Sequence, residues 1–174
     1  PACFRAVSAG MDFNLTDEQQ MLRDGARRFF REHYGFEQRR ALLASESGFS
    51  AECWARYAEL GWLALGQPEE SGGWTCSFVE TAILLEEFGR ALALEPYLSS
   101  AVLCGYILGR CSDARAGGAA LQEMMKGRTR LALAHEEPGD RYDADFPGLV
   151  ATRRGDGFLL QGTKSCVLDA PAAD

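Results

Sequence analysis

The sequence has no cysteine pair at the spacing of a zinc knuckle or a redox motif, and it has little histidine. Its six cysteines are dispersed, and His33 and His135 are its two histidines. Zinc sites and CxxC redox sites usually need two cysteines separated by two residues. The sequence therefore argues against both kinds of site, and we expect no bound metal and a reduced, cytoplasmic environment.

The sequence also has fewer positive than negative charges. The chain has 18 lysines and arginines against 25 aspartates and glutamates, a formal net charge of −7. Binding to a nucleic-acid backbone or to an anionic membrane surface depends on a surplus of positive charge. We therefore expect neither nucleic acid nor a membrane surface among the partners.

No apolar run is long enough to cross a bilayer. The most apolar stretch, residues 98–108, is interrupted by Ser, Gly and Cys and is shorter than the ~20 residues that a membrane span requires. Residues 1–10 contain one basic residue and no sustained apolar core, so they make a poor signal peptide. Because Met11 precedes a well-patterned helix entry, we expect residues 1–10 to be a leader or upstream read-through.

Residues 11–127 have the periodicity of a helical bundle. Thr16 and Gln19 form a capping-box pattern ahead of apolar residues at helical spacing, and Ser50 and Ser77 are further candidate N-caps. Pro96 stands near the start of a mostly apolar helix, where its missing N–H costs little. The patterns predict about six helices, in the stretches LTDEQQMLRDGARRFFREHY, GFEQRRALLASE, AECWARYAELGW, FVETAILLEEFGRAL, EPYLSSAVLCGYILGR and SDARAGGAALQEMMKG.

After Gly127 the pattern changes to short β-rich runs. TRLALAHE, LVATRRGDGFLLQG and TKSCVLD read as strands, with a hairpin turn at Gly155-Asp156-Gly157. Three or four short strands are too few for a sandwich or barrel, which needs roughly seven or more. The predicted fold is therefore α+β: an all-α helical bundle over residues 11–127, then the first strands of an antiparallel β-domain, truncated, over residues 128–174.

The stretch RLALAHEEPGDRYD carries the densest group of chemically capable side chains. On an extended segment His135, Glu136 and Glu137 alternate between faces, which disfavours a shared metal ion. A general acid/base role for His135 and Glu136 stays open, although no nucleophile is positioned beside them. The simpler interpretation is the end of a strand, where polar side chains meet solvent.

In order and spacing, several motifs resemble the acyl-CoA dehydrogenase family from Met11 to the last residue. They are NLTDEQQMLRDGARRFF, LGWLALGQPEESGGW, EEFGRALALEP, EEPG and DGFLLQGTKSCVLDAPAAD. Within the family, GRALALEPYL and LAHEEPGDRYD look most like the small subunit of pimeloyl-CoA dehydrogenase and related two-subunit enzymes.

The resemblance implies FAD as cofactor, an acyl-CoA or dicarboxylyl-CoA thioester as substrate, and electron-transfer flavoprotein or another acceptor as partner. It also implies a homo- or hetero-oligomer, and a C-terminal helical domain, absent from this chain, that carries the catalytic base. No catalytic residue is therefore expected in this chain.

Matching the motifs residue by residue gives the candidate site. The places that contact flavin in the family are held here by Leu133, His135, Glu136, Cys166 and Leu168. The candidate substrate residues are Arg141, Tyr142, Leu98, Val102 and Leu103. His135, Glu136, Cys166 and Leu168 depart from the usual threonine and tryptophan of the family, so a non-catalytic partner subunit is the alternative hypothesis.

Overall fold

The described part of the chain is a helical unit followed by a β-hairpin. The computed structural model describes residues 13–111, 114–139 and 148–174, so the expected leader, residues 1–10, lies outside the described residues. Within them the helices are α1 (Asp17–His33), α2 (Phe36–Leu43), α3 (Ala51–Glu59), α4 (Phe78–Ala91), α5 (Gly105–Leu108) and α6 (Ala114–Met125). Short 3-10 turns occupy Trp62–Ala64, Glu69–Ser71 and Ala170–Ala172, and the strands are β1 (Val150–Arg154) and β2 (Gly157–Gln161). The predicted α+β class with six helices is confirmed.

Side-chain caps start three of these helices where the sequence predicts them. Thr16 Oγ1 accepts a hydrogen bond from the Gln19 N–H at 3.2 Å, and Gln19 Oε1 accepts one from the Thr16 N–H at 3.1 Å. Ser50 Oγ accepts from the Cys53 N–H at 3.1 Å, and Ser77 Oγ accepts from the Val79 N–H at 3.2 Å. Each cap satisfies an N–H that the first helical turn leaves unpaired.

The core is a cluster of aromatic rings contributed by different segments. Phe88 of α4 lies 4.9 Å from Phe30 of α1, 5.0 Å from Tyr57 of α3 and 4.5 Å from Tyr97, measured between ring centroids. Tyr57 in turn stacks on Trp62 at 5.4 Å. Because five segments of the chain meet at these rings, the cluster fixes how the helices pack.

A buried carboxylate reinforces the contact between α1 and α4. Glu87, with 2% of its side chain exposed, accepts two hydrogen bonds from the Arg27 guanidinium at 2.6 and 3.1 Å. Arg90 lies 3.5 Å away on the next turn of α4. This pairing compensates the desolvation of Glu87, since glutamate is almost never fully buried unless it is paired.

A π-helical segment, Tyr97–Cys104, leads directly into α5. Sequence periodicity predicts an ordinary helix here and does not reveal the wider turns. Within this segment Ser99 Oγ donates to Asp169 Oδ2 at 2.5 Å, and Ser100 Oγ accepts from the Leu131 N–H at 2.9 Å. The segment therefore joins the helical unit to the part of the chain that follows α6.

Of the predicted strands, only the hairpin forms. β1 pairs with β2 in antiparallel register, from Val150 opposite Gln161 to Arg154 opposite Gly157. Gly155 opens the two-residue turn with φ of 57°, a conformation that favours glycine.

The predictions of strands in TRLALAHE and TKSCVLD are wrong, because residues 129–137 and 162–165 have no regular secondary structure. Two separated backbone hydrogen bonds link these regions, from the Ser165 N–H to the Glu136 carbonyl at 2.8 Å and from the Asp174 N–H to the Arg130 carbonyl at 3.1 Å. The 3-10 turn at Ala170–Ala172 lies between the two bonds, so no continuous ladder can form.

The buried tyrosines predict a loss of stability at alkaline pH. Burial raises the pKa of Tyr57 and Tyr97, and the nearby Glu95 raises that of Tyr57 further. The folded protein therefore holds these protons more tightly than the unfolded chain, whose phenols have a pKa of about 10. Stability from this source is fully present below pH 10 and falls as the pH rises through the raised folded values, by about 1.4 kcal/mol per pH unit for each phenol.

Urea unfolding at a series of pH values above neutral measures this slope. Tyr57→Phe should make the alkaline slope shallower, because it removes one of the phenols whose pKa burial raises. Equal slopes for wild type and Tyr57→Phe would contradict the assignment.

Candidate functional site

The two chain segments predicted to contact a cofactor lie side by side. The bond from the Ser165 N–H to the Glu136 carbonyl, 2.8 Å long, places residues 133–136 next to residues 166–168. These segments are about thirty residues apart in sequence, and the hairpin forms part of the chain between them. This bond joins the two segments that carry the five positions indicated by the family motifs for flavin contact.

The side chains at these positions are largely accessible. Leu133 is half-buried, Cys166 and Leu168 are exposed, and the side chains of His135 and Glu136 are 53% and 35% exposed. His135 Nε2 lies 4.0 Å from Glu136 Oε1, which is too far for a hydrogen bond. The two groups are neighbours without forming a hydrogen-bonded acid/base pair.

Backbone strain is concentrated in the second segment. Cys166 and Asp169 have φ of 51° and 56°, in the left-handed region that residues other than glycine rarely adopt. Such residues persist only where surrounding contacts hold them, and they are common at ligand sites. For Asp169, the hydrogen bond to Ser99 supplies one such contact.

An ion pair that the sequence analysis missed lies beside both segments. Lys164 Nζ is 2.6 Å from Glu137 Oε1 and donates to the His135 carbonyl at 3.0 Å. The same carboxylate oxygen accepts from the Leu149 N–H at 3.0 Å. These bonds, led by the one from Lys164, lower the pKa of Glu137. No local pattern pairs residues 27 positions apart, so spacing alone could not have revealed this contact.

The predicted substrate residues on the π-helical segment differ in their exposure and surroundings. Leu98 and Leu103 are 45% and 36% exposed. Val102 lines a cavity of about 140 Å³ together with Gln67, Thr81 and others. Arg141 and Tyr142, the other predicted substrate residues, lie outside the described residues.

The described residues contain neither a cluster of metal-binding side chains nor a membrane-spanning helix. In residues 13–111, 114–139 and 148–174, no group of three or more His, Cys, Asp or Glu is arranged to hold a metal ion. None of the helices described here combines the length and apolar character that crossing a bilayer demands.

The helical unit defines the class of protein. Residues 16–128 match the family model described as the acyl-CoA dehydrogenase N-terminal domain. The match covers more than half of the chain, including all six helices. An N-terminal domain of this kind, followed by the start of a β-domain, is the arrangement that the sequence motifs indicate.

Individual relatives extend the similarity into the β region. The chain is 28% identical over 163 residues to mitochondrial isovaleryl-CoA dehydrogenase from Bos taurus, covering 92% of this chain and 38% of that protein. It is 29% identical over 169 residues to benzylmalonyl-CoA dehydrogenase from Aromatoleum aromaticum, covering 94% and 44%. A chain of the ChsE4-ChsE5 complex from Mycobacterium tuberculosis is 27% identical, with a TM-score of 0.82, covering 94% and 44%.

The protein belongs to the acyl-CoA dehydrogenase family, as the sequence motifs predict. It spans less than half the length of the relatives described above.

The residues at the two adjacent segments fit a flavin in their chemistry. Leu133, Cys166 and Leu168 offer apolar and weakly polar surface for a flat aromatic ring, and the His135 imidazole can donate a hydrogen bond. Glu136 fits less well, because a carboxylate disfavours negative charge on a neighbouring ring. A flavin site at these residues is thus compatible with the structure, with Glu136 as the exception.

Proposed function

We propose that this chain is the N-terminal part of an FAD-dependent acyl-CoA dehydrogenase subunit that oxidises an acyl-CoA or dicarboxylyl-CoA thioester between its α and β carbons. The observation that carries the proposal is the side-by-side placement of residues 133–136 and 166–168 in a chain of this family. Membership of the family supports FAD as the cofactor. The two neighbouring segments supply a surface on which FAD could bind.

The roles of this chain's residues are binding and orientation. FAD, when bound, would take up the hydride that leaves the β-carbon. Leu133, Cys166 and Leu168 would contact the face of the flavin ring, and His135 its polar edge. Arg141 and Tyr142 would face the thioester, where the Arg141 guanidinium suits a phosphate or a distal carboxylate. None of these residues is proposed as the catalytic base.

Leu98, Val102 and Leu103 would form part of the wall of the acyl pocket. The exposure of Leu98 and Leu103 supports this role, because exposed apolar side chains on a helix need a further surface to cover them. Electron-transfer flavoprotein or another acceptor would reoxidise the flavin. We also propose a cytoplasmic location, supported by the free state of the described cysteines Cys53, Cys76, Cys104, Cys111 and Cys166.

The test is flavin content and reducibility of the full-length protein. Purified alone, it should carry stoichiometric FAD, and anaerobic addition of acyl-CoA thioesters should bleach the flavin absorption band. Comparing monocarboxylyl with dicarboxylyl thioesters tests the substrate class. A flavin that no thioester in the series reduces would overturn the proposed reaction.

The alternative function is a partner subunit that keeps the fold without binding its own flavin. Glu136 favours it, since a carboxylate is a poor neighbour for a reduced flavin. The similarity to a chain of the ChsE4-ChsE5 complex, which pairs two different proteins, supports a hetero-oligomer. This alternative would be established if the protein alone is folded and colourless, and if flavin is present only in its complex with a second family member.

A further inference from the structure

The contact between Glu137 and Lys164 lies beside the two segments of the candidate flavin site, and neither residue is among the five positions proposed to contact the flavin. Glu137 follows the first flavin-contacting segment directly, and Lys164 precedes the second by two residues. Their charged atoms are 2.6 Å apart. The pair therefore bridges the two segments at the point where both approach the site.

The pair is well shielded and has several further partners. The side chains of Glu137 and Lys164 are 10% and 24% exposed. Lys164 also donates to the His135 carbonyl at 3.0 Å, and Glu137 Oε1 accepts from the Leu149 N–H at 3.0 Å. Three stretches of chain, at 135–137, 148–149 and 164, are thus held by one pair of charges. Pairs with shielding and extra hydrogen bonds hold geometry better than exposed surface ion pairs do.

Gly148 gives independent evidence that the chain is tightly fitted around this carboxylate. A Cβ added at Gly148 would lie 2.6 Å from Glu137 Oε2, closer than van der Waals contact allows. Any side chain at position 148 would push the carboxylate away. The backbone at 148–149 therefore packs directly on Glu137.

We propose that Glu137 and Lys164 are positioning residues, which set the spacing between the two flavin-contacting segments and so control flavin affinity. The inference rests on the proposed function and deepens it. Neither side chain needs to touch the flavin. The Lys164 bond to the His135 carbonyl fixes the first segment relative to Lys164. Because Cys166 and Leu168 follow Lys164 within four residues, the same bond also fixes their distance from the first segment.

The experiment uses the full-length protein and measures flavin affinity in single variants. Lys164→Gln and Glu137→Gln remove the ion pair and should each weaken FAD binding by about tenfold or more, because hydrogen bonds to charged groups are lost at a shielded site. Gly148→Ala keeps both charges and should weaken binding in the same direction. Lys164→Arg retains a cation and should restore most of the affinity.

The matched control is Glu59→Gln. It breaks the Arg56–Glu59 ion pair, 2.9 Å long but with both side chains more than half exposed, and should leave FAD affinity unchanged. The visible circular dichroism of the bound flavin is a second readout, since it reports ring placement and not global stability. It should change in Lys164→Gln and return toward wild type in Lys164→Arg.

Hydrogen exchange of the flavin-free protein separates failure of the inference from failure of the proposed function. Exchange at residues 133–137 and 164–168 should accelerate in Lys164→Gln and Gly148→Ala. Unchanged affinity, dichroism and exchange in these variants would overturn the positioning role. A wild-type protein that takes up no FAD would instead overturn the proposed function, and the exchange data would still decide whether the pair sets the spacing. If Lys164→Gln does not fold, the positioning role is tested by comparing Gly148→Ala with Lys164→Arg. The role predicts weaker FAD binding and faster exchange in Gly148→Ala than in Lys164→Arg.

Discussion

Replacing Glu95 with alanine is expected to lower the free energy of unfolding by about 3–5 kcal/mol. Glu95 is 6% exposed. Its Oε2 accepts a hydrogen bond from the Tyr57 hydroxyl at 3.0 Å, and its Oε1 accepts from the Ser50 N–H at 3.0 Å and from the Tyr34 hydroxyl at 3.5 Å. One carboxylate therefore ties α1, the start of α3 and the chain after α4 together.

The large effect follows from what the substitution leaves behind. Alanine removes the acceptor but keeps the buried donors of Tyr57, Ser50 and Tyr34, and each donor without a partner costs about 1–3 kcal/mol. Water entering the vacated space would pair with some of these donors, so the total loss should be smaller than the sum of the three separate costs. Glu95→Gln retains one acceptor oxygen and a similar shape, so its cost should be markedly smaller.

Denaturant unfolding followed by circular dichroism measures these differences. Glu46→Ala is the matched control, because Glu46 is exposed and substitutions at such positions usually change stability by less than about 0.5 kcal/mol. A Glu95→Ala protein as stable as Glu46→Ala would show that the carboxylate does not organise the helices.

The helices were predictable from sequence because their signals are local. The hydroxyls of Thr16, Ser50 and Ser77 act on N–H groups two or three residues away, and apolar residues recur at the helical period. Glu87 and Glu95 show the limit of such reasoning. Both are buried because of partners 38 to 61 residues distant, which no window of sequence contains.

The positions of the candidate site stay a prediction from the family motifs, and the contacts that surround them were not predictable from local sequence. Family motifs indicate His135 and Cys166 as neighbours of a cofactor, and the structure places their segments together. Alternation along an extended segment separates His135, Glu136 and Glu137, but it does not reveal that Glu137 pairs with Lys164, 27 positions away. The extended runs around these residues also read as strands, although only two backbone bonds link them. A β-rich run becomes a strand only where a neighbour continues the ladder.

Phe88→Ala should strongly destabilise the helical core, with an expected loss of about 3–5 kcal/mol. Phe88 is 7% exposed, and its ring contacts those of Phe30, Tyr57, Trp62 and Tyr97 at centroid distances of 4.5 to 6.0 Å. Truncation removes the ring from the middle of this cluster, and large aromatic neighbours cannot move inward without leaving their own contacts. The cavity therefore stays largely open, which adds to the lost transfer free energy.

Phe78→Ala provides the comparison on the same helix. Phe78 is the first residue of α4 and is 70% exposed, so the same substitution there should cost less than about 1 kcal/mol. Because total stability is commonly only 5–15 kcal/mol, the loss in Phe88→Ala should appear as a large shift of the unfolding midpoint. Phe88→Leu should recover about half of the loss, because it refills much of the volume without restoring the ring contacts. Equal stability of the Phe88 and Phe78 alanine variants would mean that the aromatic cluster does not hold α4 in place, and the packing of α1, α3 and α4 would need another explanation.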